Sequence, residues 1–515
     1  MSTRSASWPL LVLCLMTGYG FQADAATAAS PGDPNPASQR WLDAREVQRK
    51  GRASLHKDAE ADKVERAKKA VKVALELVAK ARDLRVPGQD AFFARVTAFI
   101  GRLDRAQAET VTAALKDLPA EPANADAKLV REWTSFMSGR RTTLMKPTET
   151  LGDKALGVGV YDIAHECLDE VLAFDPDSPG LRKALNLTRV GERWYGPKDM
   201  ELVKAGLVWD DKLGWIVAKE AARYAAGDYF DVQAKRWTTL AEANAAHATL
   251  DKEWLVQTEH LEIRGNAPLA ALVGSANALE GFYAQIFAAY CAFFAKEKGD
   301  VKLIFGLLDH PRLLISIASD KDSYVKSLPS GVAAGWSAGM WIPAANSSFF
   351  FAGPKELMFH EFTHQILGVF SGHGGAPVWV VEGAAVYTQS PTYDADGRLV
   401  LGVPEKNRDI RRYLAEVKSM SAMPLDQLFA IDYAGWLAAK DPGAQYAAAG
   451  AVVQFCMEAE RRRFRADFID YLRDAYLGQT QGHAVWDYLG MTRAGFASSF
   501  ASWAEGGGKS GDPRI

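Results

Sequence analysis

Between residues 360 and 387 the chain sets two demands that few folds can meet together. His360-Glu361-Phe362-Thr363-His364 puts two imidazoles four residues apart within an apolar surround of Leu357, Met358, Phe359, Ile366 and Leu367. Residues four apart share one side of a helix, so both rings can reach one ion while Glu361 projects beside them. Pro354 can occupy the first turn of that helix. The run from Ala376 to Tyr387 reads as a buried helix carrying a single acid, Glu382, eighteen residues past His364. A buried carboxylate without a partner is costly, and a metal ion would supply the partner. The turn Ser371-Gly372-His373-Gly374-Gly375 lets the second helix fold back on the first. Two imidazoles and one carboxylate leave zinc a fourth position for water, which is a catalytic and not a structural arrangement. His373 competes with Glu382 as third ligand, but it lies in a glycine-rich turn instead of on a rigid element, which favours Glu382.

With His-Glu-x-x-His followed by Trp379-x-x-Glu382-Gly383-x-Ala385-x-Tyr387, the chain resembles the gluzincin metallopeptidases, and among them the bacterial peptidase MA-like group. The resemblance extends over Trp254 to Arg264 and Leu313 to Tyr324, roughly the C-terminal half. It implies an α+β, zincin-like (thermolysin-type) domain, one Zn2+ held by His360, His364 and Glu382, and a peptide or protein substrate. The implied reaction is peptide-bond hydrolysis by a metal-bound water that Glu361 activates before protonating the leaving amine. The long metzincin pattern is excluded, because Leu367 and Phe370 stand where it requires Gly and His. One departure is visible: thermolysin-like enzymes carry an Asp four residues after the ligand Glu to orient a ligand histidine, and here that position is Val386. The orienting partner must come from elsewhere.

An oxyanion donor besides the metal is expected, with Tyr387, Tyr446 and His373 as candidates. Tyr387 lies five residues past Glu382, about 140° around the helix, and should face away. Tyr446 is preferred as the second catalytic residue, since it opens the apolar run Ala447 to Phe455 and similar tyrosines follow the ligand helix in relatives. The strand expected at Ser347 to Phe351 could pair with an extended substrate, although Phe349-Phe350-Phe351 suits an interior strand equally well.

The rest of the chain sets the context. At roughly 100 to 200 residues per domain, 515 residues imply about three folded units. A net charge of -3 offers no basic field for nucleic acid. Arg4, the apolar stretch Trp8 to Met16 and Ala23-Asp24-Ala25 fit an export signal over residues 1–25, so the product is expected to be periplasmic or secreted, with no membrane attachment after cleavage. Cys167, Cys291 and Cys456 match neither a disulfide framework nor a zinc site and read as buried thiols, although an oxidising compartment would allow one pair to bridge. Residues 26–40 read as a flexible leader and 41–190 as an all-α region. Within it, Tyr161, Ala164 and Pro176 resemble one tetratricopeptide unit. Residues 191–250 read as a turn-rich connection, 251–504 as the peptidase domain and 505–515 as a disordered tail. The alternative to an enzyme is an interaction protein whose N-terminal helices bind a protein partner while the C-terminal domain is vestigial or structural.

Overall fold

The computed structural model describes residues 36–232, 234–294, 300–332, 337–351, 355–371, 375–393 and 399–509. The export signal, Pro354 and His373 lie outside them. The described residues form two compact units, one of residues 36–186 with 300–305 and the other of residues 187–294 with 306–509.

The first unit is helical: α1 (Pro36–Asp83), α2 (Gln89–Leu103), α3 (Arg105–Leu115), α4 (Ala127–Val158), α5 (Tyr161–Phe174) and α6 (Pro179–Ala184). Val71, Ala74 and Val78 of α1 recur at helical spacing and bury against Phe92, Val96 and Ile100 of α2. Helix α1 begins inside the expected leader, because proline is tolerated in a first helical turn. Tyr161 and Ala164 are buried where α4 and α5 pack. Gly152 permits that approach: a Cβ there would lie 3.1 Å from Cys167 Cβ and from Leu168 Cγ.

The second unit starts with three tandem hairpin-plus-helix repeats. They are β1 (Thr188–Val190), β2 (Arg193–Tyr195) and α7 (Pro197–Lys204); β3 (Leu207–Asp210), β4 (Gly214–Val217) and α8 (Ala221–Ala225); β5 (Asp228–Asp231), β6 (Arg236–Thr239) and α9 (Leu240–Ala246). Each hairpin pairs only with itself, and Trp194, Trp215 and Trp237 take the same place in the second strand of each. Region 191–250 is therefore a repeat array that clusters in one compact unit with the residues after it. Hydrogen bonds tie it there, among them those by which Glu259 accepts the first N–H groups of α7 from Lys198 and Asp199 and Trp215 Nε1 donates to Gln257 O.

A mixed five-stranded sheet follows, from β7 (Trp254–Gln257), β8 (Leu261–Gly265), β9 (Leu313–Ala318), β10 (Gly339–Ile342) and β11 (Ser347–Phe351), in the order β10-β11-β9-β8-β7. Strands β8, β9 and β11 run parallel, and β7 and β10 are antiparallel edges. Helix α10 (Leu269–Phe294) connects β8 towards β9; α11 (Val301–Ile304) belongs to the first unit, and α12 (Lys321–Ser327) follows β9. Strand β11 is flanked on both sides, which its apolar run suits, so it has no edge to offer a substrate. The edge is β10.

Helices then dominate: α13 (Lys355–Ser371), α14 (Val378–Thr388), a hairpin of β12 (Thr392–Tyr393) and β13 (Leu399–Val400), α15 (Arg408–Lys418), α16 (Leu425–Ala430), α17 (Tyr433–Leu437), α18 (Pro442–Arg462), α19 (Arg465–Tyr476), α20 (Val485–Tyr488) and α21 (Arg493–Glu505). The start of the expected tail is part of the fold, since Gly508 packs on Leu414 and Trp503 Nε1 donates to Lys509 O. Residues 510–515 lie outside the described set. Cys167, Cys291 and Cys456 are all buried. Among the described residues no helix is long and apolar enough to cross a membrane.

Candidate metal centre

Helix α13 is buried without interruption from Leu357 to Gly368. The sheet edge covers one side of it, α10 another through Phe282 stacked 4.5 Å from Phe359, and α14 a third. Helix α14 is buried at every position except Val381. Its approach to α18 depends on two missing side chains: a Cβ on Gly383 would lie 2.6 Å from Ala449 O, and one on Gly450 would collide with Val386. This crossing presents Glu382 to α13.

His360, His364 and Glu382 converge there, and they are the one group of three potential metal-ligating side chains found among the described residues. His360 Nε2 lies 3.2 Å from His364 Nε2 and 3.3 Å from Glu382 Oε2, and His364 Nε2 lies 3.3 Å from the same oxygen. The triangle is nearly equilateral. A tetrahedral zinc ion with bonds of about 2.0 to 2.1 Å holds its ligand atoms about 3.3 to 3.4 Å apart, so these edges fit one face of such a site.

Hydrogen bonding makes the same demand. Asp409 in the first turn of α15 can only accept, so the Gln389 amide must turn its nitrogen to Asp409 Oδ2, at 2.7 Å. Gln389 Oε1 then faces His360 Nδ1 at 2.9 Å and needs a proton there. His360 thus carries a proton on Nδ1, and in the neutral ring the Nε2 lone pair points at the Glu382 carboxylate. One N–H from His364 could satisfy only part of the cluster, whereas a cation between the three atoms satisfies all of it. Negative charge around the ring draws a cation to the same place, whether a metal ion or a second proton. Burial lowers the His360 pKa, but hydrogen bonding to Glu382 and the charges of Glu361 and Glu382 outweigh it and raise the net value. Burial raises that of Glu382, and the facing His364 and His360 pull it down to about 2.

Glu361 is fully buried beside the triangle, and its Oε2 accepts the Trp341 backbone N–H from edge strand β10 at 2.8 Å. Burial raises its pKa. The Tyr446 ring, on α18, lies 6.1 Å from the His360 ring and 5.2 Å from Trp436. Tyr387 is elsewhere: its hydroxyl donates to Glu458, which Arg462 and Arg465 also hold. Val386 packs on Gly450, so the position four residues past the ligand acid serves helix packing. Sequence reasoning missed Gln389, Asp409 and Trp341. Gln389 carried a usable signal, being seven residues and so two turns past Glu382 on the same helical face. Asp409 and Trp341 carried none. A cleft of about 340 Å³ is lined by Phe359, Gln389, Lys355 and Lys406 among others, and by none of His360, His364 and Glu382. Comparison of the chain with protein-family models, with curated proteins and with solved structures finds no match.

Proposed function

We propose that this chain is an exported, zinc-dependent peptidase of gluzincin type, with a zincin-like domain in its C-terminal half. The observation that carries the reading is the triangle of donor atoms with the Glu361 carboxylate buried at its side. When bound by His360, His364 and Glu382, zinc would supply a Lewis acid that polarises water and the scissile carbonyl.

The chain's own groups do the rest. Glu361 takes the proton from the attacking water and returns it to the leaving amine; burial makes it a stronger base than an exposed glutamate. Trp341 N–H holds that carboxylate in place, and because this N–H turns to Glu361, the free edge of β10 runs beside the base. An extended peptide added to that edge would bring its backbone to Glu361. Tyr446 would donate a hydrogen bond to the oxyanion as it forms. The signal read over residues 1–25 would deliver the protein to the periplasm or the exterior.

Metal analysis of the purified chain should find one zinc. Peptidase activity should fall on chelation and return with zinc. Glu361→Gln should keep the metal and lose about 10²- to 10⁴-fold in turnover. Full activity in that variant would overturn the assignment of the base.

A further inference from the structure

We infer that Gln389 and Asp409 are positioning residues for the metal, a relay that fixes the tautomer and aim of His360; the inference rests on the zinc site proposed above. The relay has a defined polarity. Asp409 sits in the first turn of α15, where a carboxylate is stabilised by the helix N-terminus. Asn407 caps that helix by accepting from Asp409 N–H and Ile410 N–H, and its own amide donates to Val386 O on α14, so the start of α15 is pinned to the helix that carries Glu382.

From Asp409 the order is forced. The carboxylate accepts from Gln389 Nε2, Gln389 Oε1 accepts from His360 Nδ1–H, and His360 Nε2 is left with its lone pair towards the centre. A neutral amide between carboxylate and imidazole passes on orientation without placing a second charge against the ligand. Val386 is committed to packing on Gly450, so the direct position is closed. Gln389, two helical turns on and at the end of α14, is the side chain that reaches the ring.

The test is zinc affinity, measured on the full chain by competition with a chromophoric chelator. Gln389→Leu leaves His360 Nδ1–H without its acceptor and should weaken zinc binding about 10- to 100-fold. The double variant Gln389→Glu with Asp409→Asn exchanges amide and carboxylate while preserving the Nδ1–H donor: the amide now at position 409 would donate to the carboxylate now at position 389, which would accept from His360. It should bind zinc as tightly as wild type or tighter. Recovery by the swapped pair separates positioning from mere packing. Wild-type affinity in Gln389→Leu, or a swapped pair no better than that single variant, would overturn this inference and leave the zinc reading standing. A wild-type chain that takes up no zinc would overturn both. A chain that binds zinc but cleaves nothing would sink the peptidase alone, and the affinity comparison would still decide the relay.

Discussion

Gly383→Ala adds one methyl group beside the ligand Glu382, and the structure sets what that methyl meets. A Cβ there would lie 2.6 Å from Ala449 O and 2.8 Å from Val453 Cγ2, so it falls roughly 0.8 Å short of ordinary contact with a backbone oxygen. A helical carbonyl cannot swing aside as a side-chain tip can, so α14 and α18 must part. Overpacking of this kind costs about 1 to 3 kcal/mol. Replacing glycine by alanine within a helix returns about 1 kcal/mol, which leaves a net loss of up to about 2 kcal/mol. The same movement carries Glu382 away from His360 and His364, and displacements of about 0.5 Å already degrade a metal site. Gly274→Ala in α10 is the matched control: it lies in the same compact unit, with nothing within 4 Å of the added methyl. That variant should gain about 0.4 to 1 kcal/mol. Urea unfolding of both variants, followed by tryptophan fluorescence, should move the midpoint in opposite directions, and zinc affinity should fall only in Gly383→Ala. If the two alanines stabilise alike and bind zinc alike, the close crossing of α14 and α18 is not what places the ligand acid.

Two further outcomes follow from charge. Burial, reinforced by the Glu166 charge, raises the Glu170 carboxyl from 4.5 to about 7. The folded chain therefore holds a proton there that the unfolded chain releases between those values. Stability is greatest below the lower value and falls as pH rises through the upper one, by about 3 kcal/mol at most. Glu170→Gln should leave stability near pH 5 little changed and raise it by up to about 3 kcal/mol at pH 8; an unchanged pH slope in unfolding experiments would count against the buried carboxyl. Free zinc at one hundred times its Kd should stabilise the wild-type chain by about 2.7 kcal/mol, and Glu382→Gln should largely abolish that gain. A melting temperature indifferent to zinc in the wild type would contradict a metal centre in the folded state.

The parts of the fold that could be read from the sequence are those whose local pattern and tertiary surroundings agree. The apolar spacing of Val71, Ala74 and Val78 marks α1, and the Phe349-Phe350-Phe351 run marks a strand, because side-chain burial alone decides both. The hairpin repeats escaped for the opposite reason. Their strands are three or four residues long, too short to show an alternation, and what unites them is the recurrence of Trp194, Trp215 and Trp237, visible only when the three segments are laid side by side. Strand β10 was missed because all four of its residues are buried, so it carries no polar and apolar alternation. Pairing partners, which made β11 interior and β10 the edge, are a property of the sheet and of no single strand.

The candidate site divides in the same way. His360, Glu361 and His364 lie within one helical turn, so their juxtaposition is fixed by backbone geometry that the sequence specifies directly. Glu382 is legible by a different argument, as an acid that an apolar helix has no reason to bury unless something opposes its charge. The surrounding groups obey neither rule. Asp409 is one acid on the amphipathic helix α15, which has several polar positions, and nothing in its neighbours distinguishes it. It matters because Asn407 fastens the start of α15 to Val386 O and thereby sets the carboxylate within 2.7 Å of Gln389. Trp341 acts through its backbone N–H, a group every residue but proline possesses, so no reading of side chains could single it out. The ligands of such a centre are written in residue types, whereas the groups that aim them are written in which helices touch; Gly383 and Gly450, by allowing α14 and α18 to meet, settle the second kind of information for the first.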